Sequence, residues 1–261
     1  MTLPDLAAVG LEYSVAGPVA TITLNRPDVR NAQTPAMWRA LAAIGRQIPD
    51  EIRVVVVTGR GSTFSAGLDR TMLDPSTRDE ESVIGLLALS DEEASATIDE
   101  FQQGFSFLRD PRFVSIAAVR GYAIGAGFQL ALSCDLRVMA DDAQFSMKES
   151  ALGLVPDLTG TKPLVESVGY ARALEICATA RMVGAREAVD IGLANRSVPA
   201  DDLDAVVAEL AAALSAPMPG VVTETKMLLQ GAADRQLDEQ RQLEREAQIR
   251  RFRAVAAAFA D

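Results

Sequence analysis

Through residue 198 the chain alternates short β-branched runs with amphipathic stretches. Val19-Ala-Thr-Ile-Thr-Leu24 has the two-residue period of a half-buried strand, and Asn25-Arg-Pro27 ends it. Thr34 then predicts an N-cap with Pro35 at the first helical position, because proline has no N–H to lose there. Met37, Leu41, Ile44 and Ile48 recur at helical spacing up to Pro49. Arg53-Val-Val-Val-Val-Thr58 has no polar alternation, the pattern of a strand covered on both faces, and Phe113–Val119 and Cys134–Ala140 read the same way. Each is followed by a glycine-containing turn and a helical pattern. The sequence therefore predicts an α/β layer structure of ββα-type repeats.

Two segments depart from this rhythm. Asp74–Glu93 carries the runs Arg78-Asp-Glu-Glu81 and Asp91-Glu-Glu93, which predict a surface insertion or lid. From about Pro199 the pattern is helical only, in Asp201–Leu214, Pro219–Leu229 and the charged stretch Asp234–Ala258. The expected division is an α/β core at 1–198 carrying the site, and a helical assembly region at 199–261.

Composition narrows the chemistry. A chain of 261 residues, 49% hydrophobic, can bury about three quarters of its unfolded surface, which excludes a disordered tail. It contains no histidine, so Ser-His-Asp and Cys-His nucleophiles, His-ligated zinc and an imidazole base are excluded. Acid–base work falls to carboxylates, lysine, tyrosine or water. Cys134 and Cys177 lack CxxC spacing, so no disulfide framework or metal site is expected, and a reducing cytoplasm suits them. Met1–Gly10 lacks a basic signal-type start, and no segment offers about 18 uninterrupted apolar residues, so neither secretion nor membrane spanning is expected. A net charge of −11 opposes nucleic-acid binding at long range. The same charge requires any anionic ligand to find local cations.

Two turns stand out. Phe64-Ser-Ala-Gly-Leu-Asp69 follows the valine strand, and Gly121-Tyr-Ala-Ile-Gly-Ala-Gly-Phe-Gln129 follows Phe113–Val119. Neither matches a GxGxxG dinucleotide fingerprint or a Walker loop. If both point free N–H groups at one carbonyl oxygen, they form an oxyanion hole; tight packing alone is the plainer reading of either turn.

Taken together with Leu24-Asn-Arg-Pro27, Arg30-Asn-Ala32, Cys134-Asp-Leu136, Ala143-Gln-Phe145, Gly153-Leu-Val-Pro156 and Ala188-Val-Asp-Ile-Gly-Leu193, the turns make the sequence resemble the enoyl-CoA hydratase/isomerase family, or crotonase superfamily, over nearly its whole length. The resemblance implies a spiral of ββα repeats, a C-terminal trimerisation region giving a homotrimer or dimer of trimers, and an acyl-CoA thioester substrate. It implies no cofactor beyond the substrate's own CoA moiety. Carried over residue by residue, the backbone N–H groups of Leu68 and Ala126 polarise the thioester carbonyl. Ala66, Gly67, Asp69 and Tyr122 lie along the bound ligand, with Arg26 and Arg30 near its adenine and phosphates. Asp28 stands where many relatives have lysine, and both arginines also read as solvated or helix-pairing residues. Basic residues of the last helix, among them Arg245, Arg250 and Arg253, offer a second source of positive charge, or ordinary surface pairs.

Hydratases of this family pair two glutamates. Here the first position holds Gln129, which cannot act as a base but could orient a water or the carbonyl, and the second holds Glu149, preceded by Lys148. Asp157 stands where hydratases commonly carry glycine, at the spacing from Glu149 found in dienoyl-CoA isomerases. The favoured expectation is double-bond isomerisation, with Glu149 shuttling the proton and Asp157 as a second acid–base group. The alternatives are hydration of a trans-2-enoyl-CoA and acyl-CoA binding without turnover. Asp157 reads equally as an N-cap ahead of Thr159–Gly169. Met72, Leu73, Leu86, Leu87, Phe101 and Phe105 read as an acyl-pocket wall or as core.

Overall fold

A computed structural model describes residues 3–74, 76 and 82–259. In chain order its elements are β1 (Leu11–Ala16), β2 (Val19–Leu24), α1 (Pro35–Gln47), β3 (Val54–Gly59), α2 (Val83–Leu87), α3 (Asp91–Ser106), β4 (Val114–Val119), β5 (Tyr122–Ile124) and α4 (Ala126–Ser133). There follow β6 (Leu136–Ala140), β7 (Gln144–Ser146), α5 (Thr161–Val168), α6 (Tyr170–Thr179), β8 (Val183–Gly184), α7 (Ala185–Asp190), β9 (Arg196–Val198), α8 (Leu203–Ser215), α9 (Val221–Leu229) and α10 (Leu237–Ala258). A six-stranded sheet runs β1-β2-β3-β4-β6-β9, parallel except for the β1–β2 hairpin, beside a three-stranded sheet β5-β7-β8. This is a mixed α/β fold.

The valine run behaves as its lack of alternation predicts: Val54–Val57 and all of β4 are buried. Register aligns Leu24 with Gly59 and Thr58 with Ala118, so the segments leaving β3 and β4 emerge side by side. That neighbourhood becomes the site. Thr34 caps α1 by accepting from the Met37 N–H, and the apolar face of α1 packs on α3, where Trp38 meets Phe101 and Phe105 at ring-centroid distances of 5.2 and 6.0 Å.

The described part of the expected surface insertion or lid is largely exposed and leads into α3. Ser90 and Glu93 form a reciprocal capping box, and Asp91, Glu92 and Glu93 occupy the positive end of the helix dipole, so this acidic run starts a helix. The run Arg78–Glu81 lies outside the described residues. Phe101 and Phe105 belong to the core, while Leu87 is 75% exposed.

The helices after residue 199 are anchored to the sheet. Leu203, Val207 and Ala211 of α8 are buried, and the Arg53 guanidinium donates to the carbonyls of Ser215 and Pro217 at 2.7 and 2.6 Å. Lys226 of α9 is only 8% exposed, and its ammonium donates to the Asp110 and Phe113 carbonyls and to Asp135 Oδ2 at 2.7, 2.8 and 2.7 Å. Asp135 Oδ2 also accepts from the Ser115 N–H and hydroxyl, so one carboxylate joins β4, the start of β6 and α9. Among the described residues no helix is long and apolar enough to cross a membrane.

Removing one partner of a buried, hydrogen-bonded ion pair leaves the other charge uncompensated. Lys226→Met is therefore expected to lower unfolding free energy by about 3–5 kcal/mol in urea titrations. A loss below about 1 kcal/mol would show that α9 is not held by this pair.

Candidate active site

The segment Phe64–Asp69 is pinned on both sides. Towards β5, the Phe64 and Ser65 N–H groups donate to the Arg120 and Tyr122 carbonyls, and Ile124 N–H donates to Ser65 O. Towards the loop before α1, Ala66 N–H donates to Arg30 O, Gln33 N–H to Gly67 O and Asp69 N–H to Gln33 O. Gly67 N–H donates to Ser65 Oγ at 3.2 Å. Within this segment, Leu68 N–H alone has no acceptor among the described residues. Ala126 opens α4 with its N–H equally unengaged, since a helix's first N–H groups have no partner within it.

Two glycines bring these groups together. Gly67 has φ +90°, and a Cβ there would lie 2.5 Å from Ile124 O and 3.6 Å from Ala126 N, so only glycine lets the turns touch. Gly125 has φ +51°, and a Cβ on it would stand 3.3 Å from Glu149 Oε1. Ala126 itself needs no positive φ, so its N–H is presented without backbone strain.

Glu149 follows β7 in a short 3₁₀ turn and is 8% exposed. Its Oε1 accepts from Gln129 Nε2 at 2.7 Å, and its Oε2 is buried without a hydrogen-bond partner among the described residues. Burial pushes the carboxyl above the usual glutamate range; hydrogen bonds from its own backbone and from Gln129 offset part of this, and the Asp157 charge adds to it. Lys148 does not pair with it, donating instead to the Ala180 carbonyl at 2.7 Å.

Asp157 does not cap the next helix. The N-cap of α5 is Gly160, with no side-chain cap, because the turn through Thr159 at φ +67° separates Asp157 from the helix start. Its carbonyl accepts from Gln102 of α3 at 2.7 Å, and its carboxylate accepts only from its own backbone N–H among the described residues. Solvent reaches one side of Asp157, but the protein around it withdraws enough water to push the carboxyl up.

Gln129 is fully buried on α4. Its Nε2 donates to Glu149 while its Oε1 accepts the Leu158 and Gly160 N–H groups at 2.8 and 3.3 Å. Two donors on one atom fix which end of the amide is oxygen. The structure thus commits the oxygen and one N–H of the side chain to protein groups.

The expected CoA contacts divide. The Arg26 guanidinium points inward to Ala32 O and Asp69 Oδ2, at 2.7 and 2.9 Å. Burial raises the Asp69 carboxyl's proton affinity, but hydrogen bonds from Arg26 and Thr71 outweigh it and hold the carboxyl below the usual range. Arg30, at φ +54°, is exposed beside Ala66, whose N–H its carbonyl accepts, and its side chain has no ion-pair partner among the described residues. Ala66 is half-buried and Tyr122 is 43% exposed on β5.

Several supporting residues escaped sequence reading. Gln33 donates to Ser65 Oγ and accepts from Trp38 Nε1, while the Ser65 hydroxyl donates to Asn31 O, so a buried chain of hydrogen bonds shapes the first turn. Asn31, at φ +54°, donates to the Arg60 and Thr63 carbonyls. Thr159 and Gly160 were likewise missed. Asparagine's tolerance of left-handed backbone was the available signal for Asn31; Thr159 gave none.

Two N–H donors beside a buried carboxylate, with a second carboxylate in its field, can hold an enolate oxygen and move a proton along the attached chain. Comparisons with known proteins point the same way. The family model described as enoyl-CoA hydratase/isomerase matches residues 15–255. A candidate enoyl-CoA hydratase from Thermobifida fusca, solved with CoA, superposes with a TM-score of 0.92 at 49% identity over 98% of both chains. The same protein has been solved with acetoacetyl-CoA. A further candidate enoyl-CoA hydratase, from Mycobacterium tuberculosis, is 35% identical over 71% of this chain and 67% of its own. The human mitochondrial Δ(3,5)-Δ(2,4)-dienoyl-CoA isomerase is 34% identical over 85% of this chain and 68% of its own.

Because its folded-state pKa is raised, Glu149 supports the fold while protonated, and that support is lost as pH rises through the raised value. Glu149→Gln never ionises. At pH 7–8 it is expected to melt above the wild type, on the order of 2–4 °C for each kcal/mol relieved, with the gap closing as pH falls below the ordinary glutamate value of 4.5. A variant that melts lower at neutral pH, or by a pH-independent margin, would refute this.

Proposed function

We propose that this chain, which belongs to the enoyl-CoA hydratase/isomerase family and is an enzyme of the lyase or isomerase kind, isomerises a carbon–carbon double bond in an acyl-CoA thioester. The thioester oxygen sits between the N–H groups of Leu68 and Ala126. Glu149 takes a proton from C2, and the electron pair spreads as a dienolate whose charge rests on that oxygen. Reprotonation at the far end of the conjugated system, by Glu149 or by Asp157, moves the double bond. No atom is gained or lost, and no cofactor beyond the CoA moiety is needed.

The observation that carries this reading is the double engagement of Gln129. Hydration by the family's usual pattern uses two acids around one water, and here the first is an amide, which cannot act as acid or base and whose oxygen and one N–H are already held by protein groups. The carboxyl that shares the field of Glu149 is Asp157, and both are pushed towards neutral pH by desolvation, where a proton is exchanged most readily.

CoA recognition follows the same division of labour. Arg30 meets the ligand's phosphates alongside Ala66, Gly67 and Tyr122, whereas Arg26 and Asp69 hold the oxyanion turn. Residues 199–261 serve assembly into a homotrimer or dimer of trimers built as a ββα spiral. The exposed Met227, Leu229, Leu237, Phe252 and Phe259 of the last helices and chain end support an apolar contact there. A cytoplasmic location suits the free cysteines.

Incubated with a 3-enoyl-CoA or a 3,5-dienoyl-CoA, the protein is expected to move the double bond into conjugation with the thioester, followed by ultraviolet absorbance. Glu149→Gln should slow this by roughly 10²–10⁴-fold. Rapid formation of a 3-hydroxyacyl-CoA from trans-2-enoyl-CoA, with no isomer produced, would make hydration the reaction. Light scattering of the full chain should give three or six copies; a monomer would contradict the assembly.

A further inference from the structure

The turn after Asp157 is built around one oxygen atom. Leu158 and Gly160 both aim their N–H groups at Gln129 Oε1, and between them Thr159, a β-branched residue, sits at φ +67°, where such residues are rarely found. The Thr159 hydroxyl lies 3.2 Å from Ser133 Oγ, which itself donates to the Gln129 carbonyl at 2.9 Å. A Cβ on Gly160 would press on Gln129 Cγ at 2.7 Å, so the turn closes over this side chain only because that position is glycine. The cradle would suit an anion, yet a neutral amide fills it.

We propose that Gln129 is a positioning residue: its oxygen anchors the strained Leu158–Gly160 turn that carries Asp157, and its Nε2 fixes the rotamer of Glu149, so one amide sets the relation between the two carboxyls. This rests on the reading of Glu149 as the proton carrier. The charge state of the residue at 129 then decides how easily Glu149 ionises. A hydrogen-bond donor at 2.7 Å favours the carboxylate, and keeps ready a base that burial would otherwise hold protonated. The remaining titratable groups facing Glu149 are Asp157 from the following loop and Cys177 from α6; the neighbouring Lys148 is engaged with Ala180. A glutamate at 129 would leave one oxygen in the cradle and set the other against Glu149 Oε1, and the two carboxyls would have to share a proton.

The test is a ¹³C NMR titration of the Glu149 carboxyl in the unliganded full-length protein, assigned with Glu149→Gln, in wild type, Gln129→Met and Gln129→Glu. Both Gln129 variants are expected to titrate above wild type, Gln129→Glu in two coupled steps. The acid limb of the kcat profile should move the same way, and kcat should fall on the order of ten- to a hundredfold with KM nearly unchanged. Gln129→Glu keeps the oxygen the turn requires, so it carries the test if Gln129→Met does not fold. Titration midpoints unchanged from wild type in folded variants would overturn the proposal even if kcat falls, because a merely structural role would lower activity without moving them. The NMR readout does not depend on which enoyl-CoA is turned over. A wild type with no isomerase activity but with shifted variant midpoints would sink the isomerase reading and leave the role of Gln129 standing.

Discussion

The close approach of two backbone turns is the constraint on which the site depends. Gly67 lies against Ile124 O and next to Ala126 N, at a separation no side chain would permit. Parallel pairing of β2, β3 and β4 delivers both segments to one edge. The carbonyls of Arg120, Tyr122, Arg30 and Gln33, with Ser65 Oγ, then accept every backbone N–H of Phe64–Asp69 except that of Leu68. The donors left over, the N–H groups of Leu68 and Ala126, are thereby held in fixed positions. Donors fixed in this way need no reorganisation as charge develops.

Around that frame the molecule tolerates polar burial in two different ways. Lys226 is compensated completely, with two carbonyls and a carboxylate as acceptors, and it serves the fold. Glu149 is compensated on one oxygen only, and its second oxygen stays buried without a partner among the described residues. A fully satisfied carboxylate would be a poor base; a half-satisfied one destabilises the fold and is reactive.

Sequence legibility followed the range of the physics involved. Thr34-Pro35 and the valine run were readable because capping and burial on both faces act within a few residues. Local reading misled where a longer-range demand won. Asp157 follows proline as an N-cap often does, but the turn at Thr159 moves the helix start to Gly160. The acidic run Asp91–Glu93 reads as part of a surface insertion or lid; its capping partner, Ser90, shows that it also starts a helix. Glu149 was found through family resemblance, since nothing in Met-Lys-Glu distinguishes it from a surface charge. The engagement of Gln129 depends on N–H groups 29 and 31 residues further along, in a turn whose backbone angles no local pattern foretells. Lys226 was invisible for the same reason, its acid lying 91 residues earlier.

That last separation bears on how the chain is made. During synthesis the strands of the sheet emerge first, and Asp135 can join Ser115 as soon as β4 and β6 pair. Its cation arrives only with α9, 91 residues later in the chain. Until then the base of β4, the strand that leads towards the glycine turn opening α4, holds an acid without its counter-charge. A nascent chain ending near residue 198 therefore holds Glu149, Asp157 and both glycine turns, but neither the α8 part of the core nor the ion pair that closes the sheet beneath them.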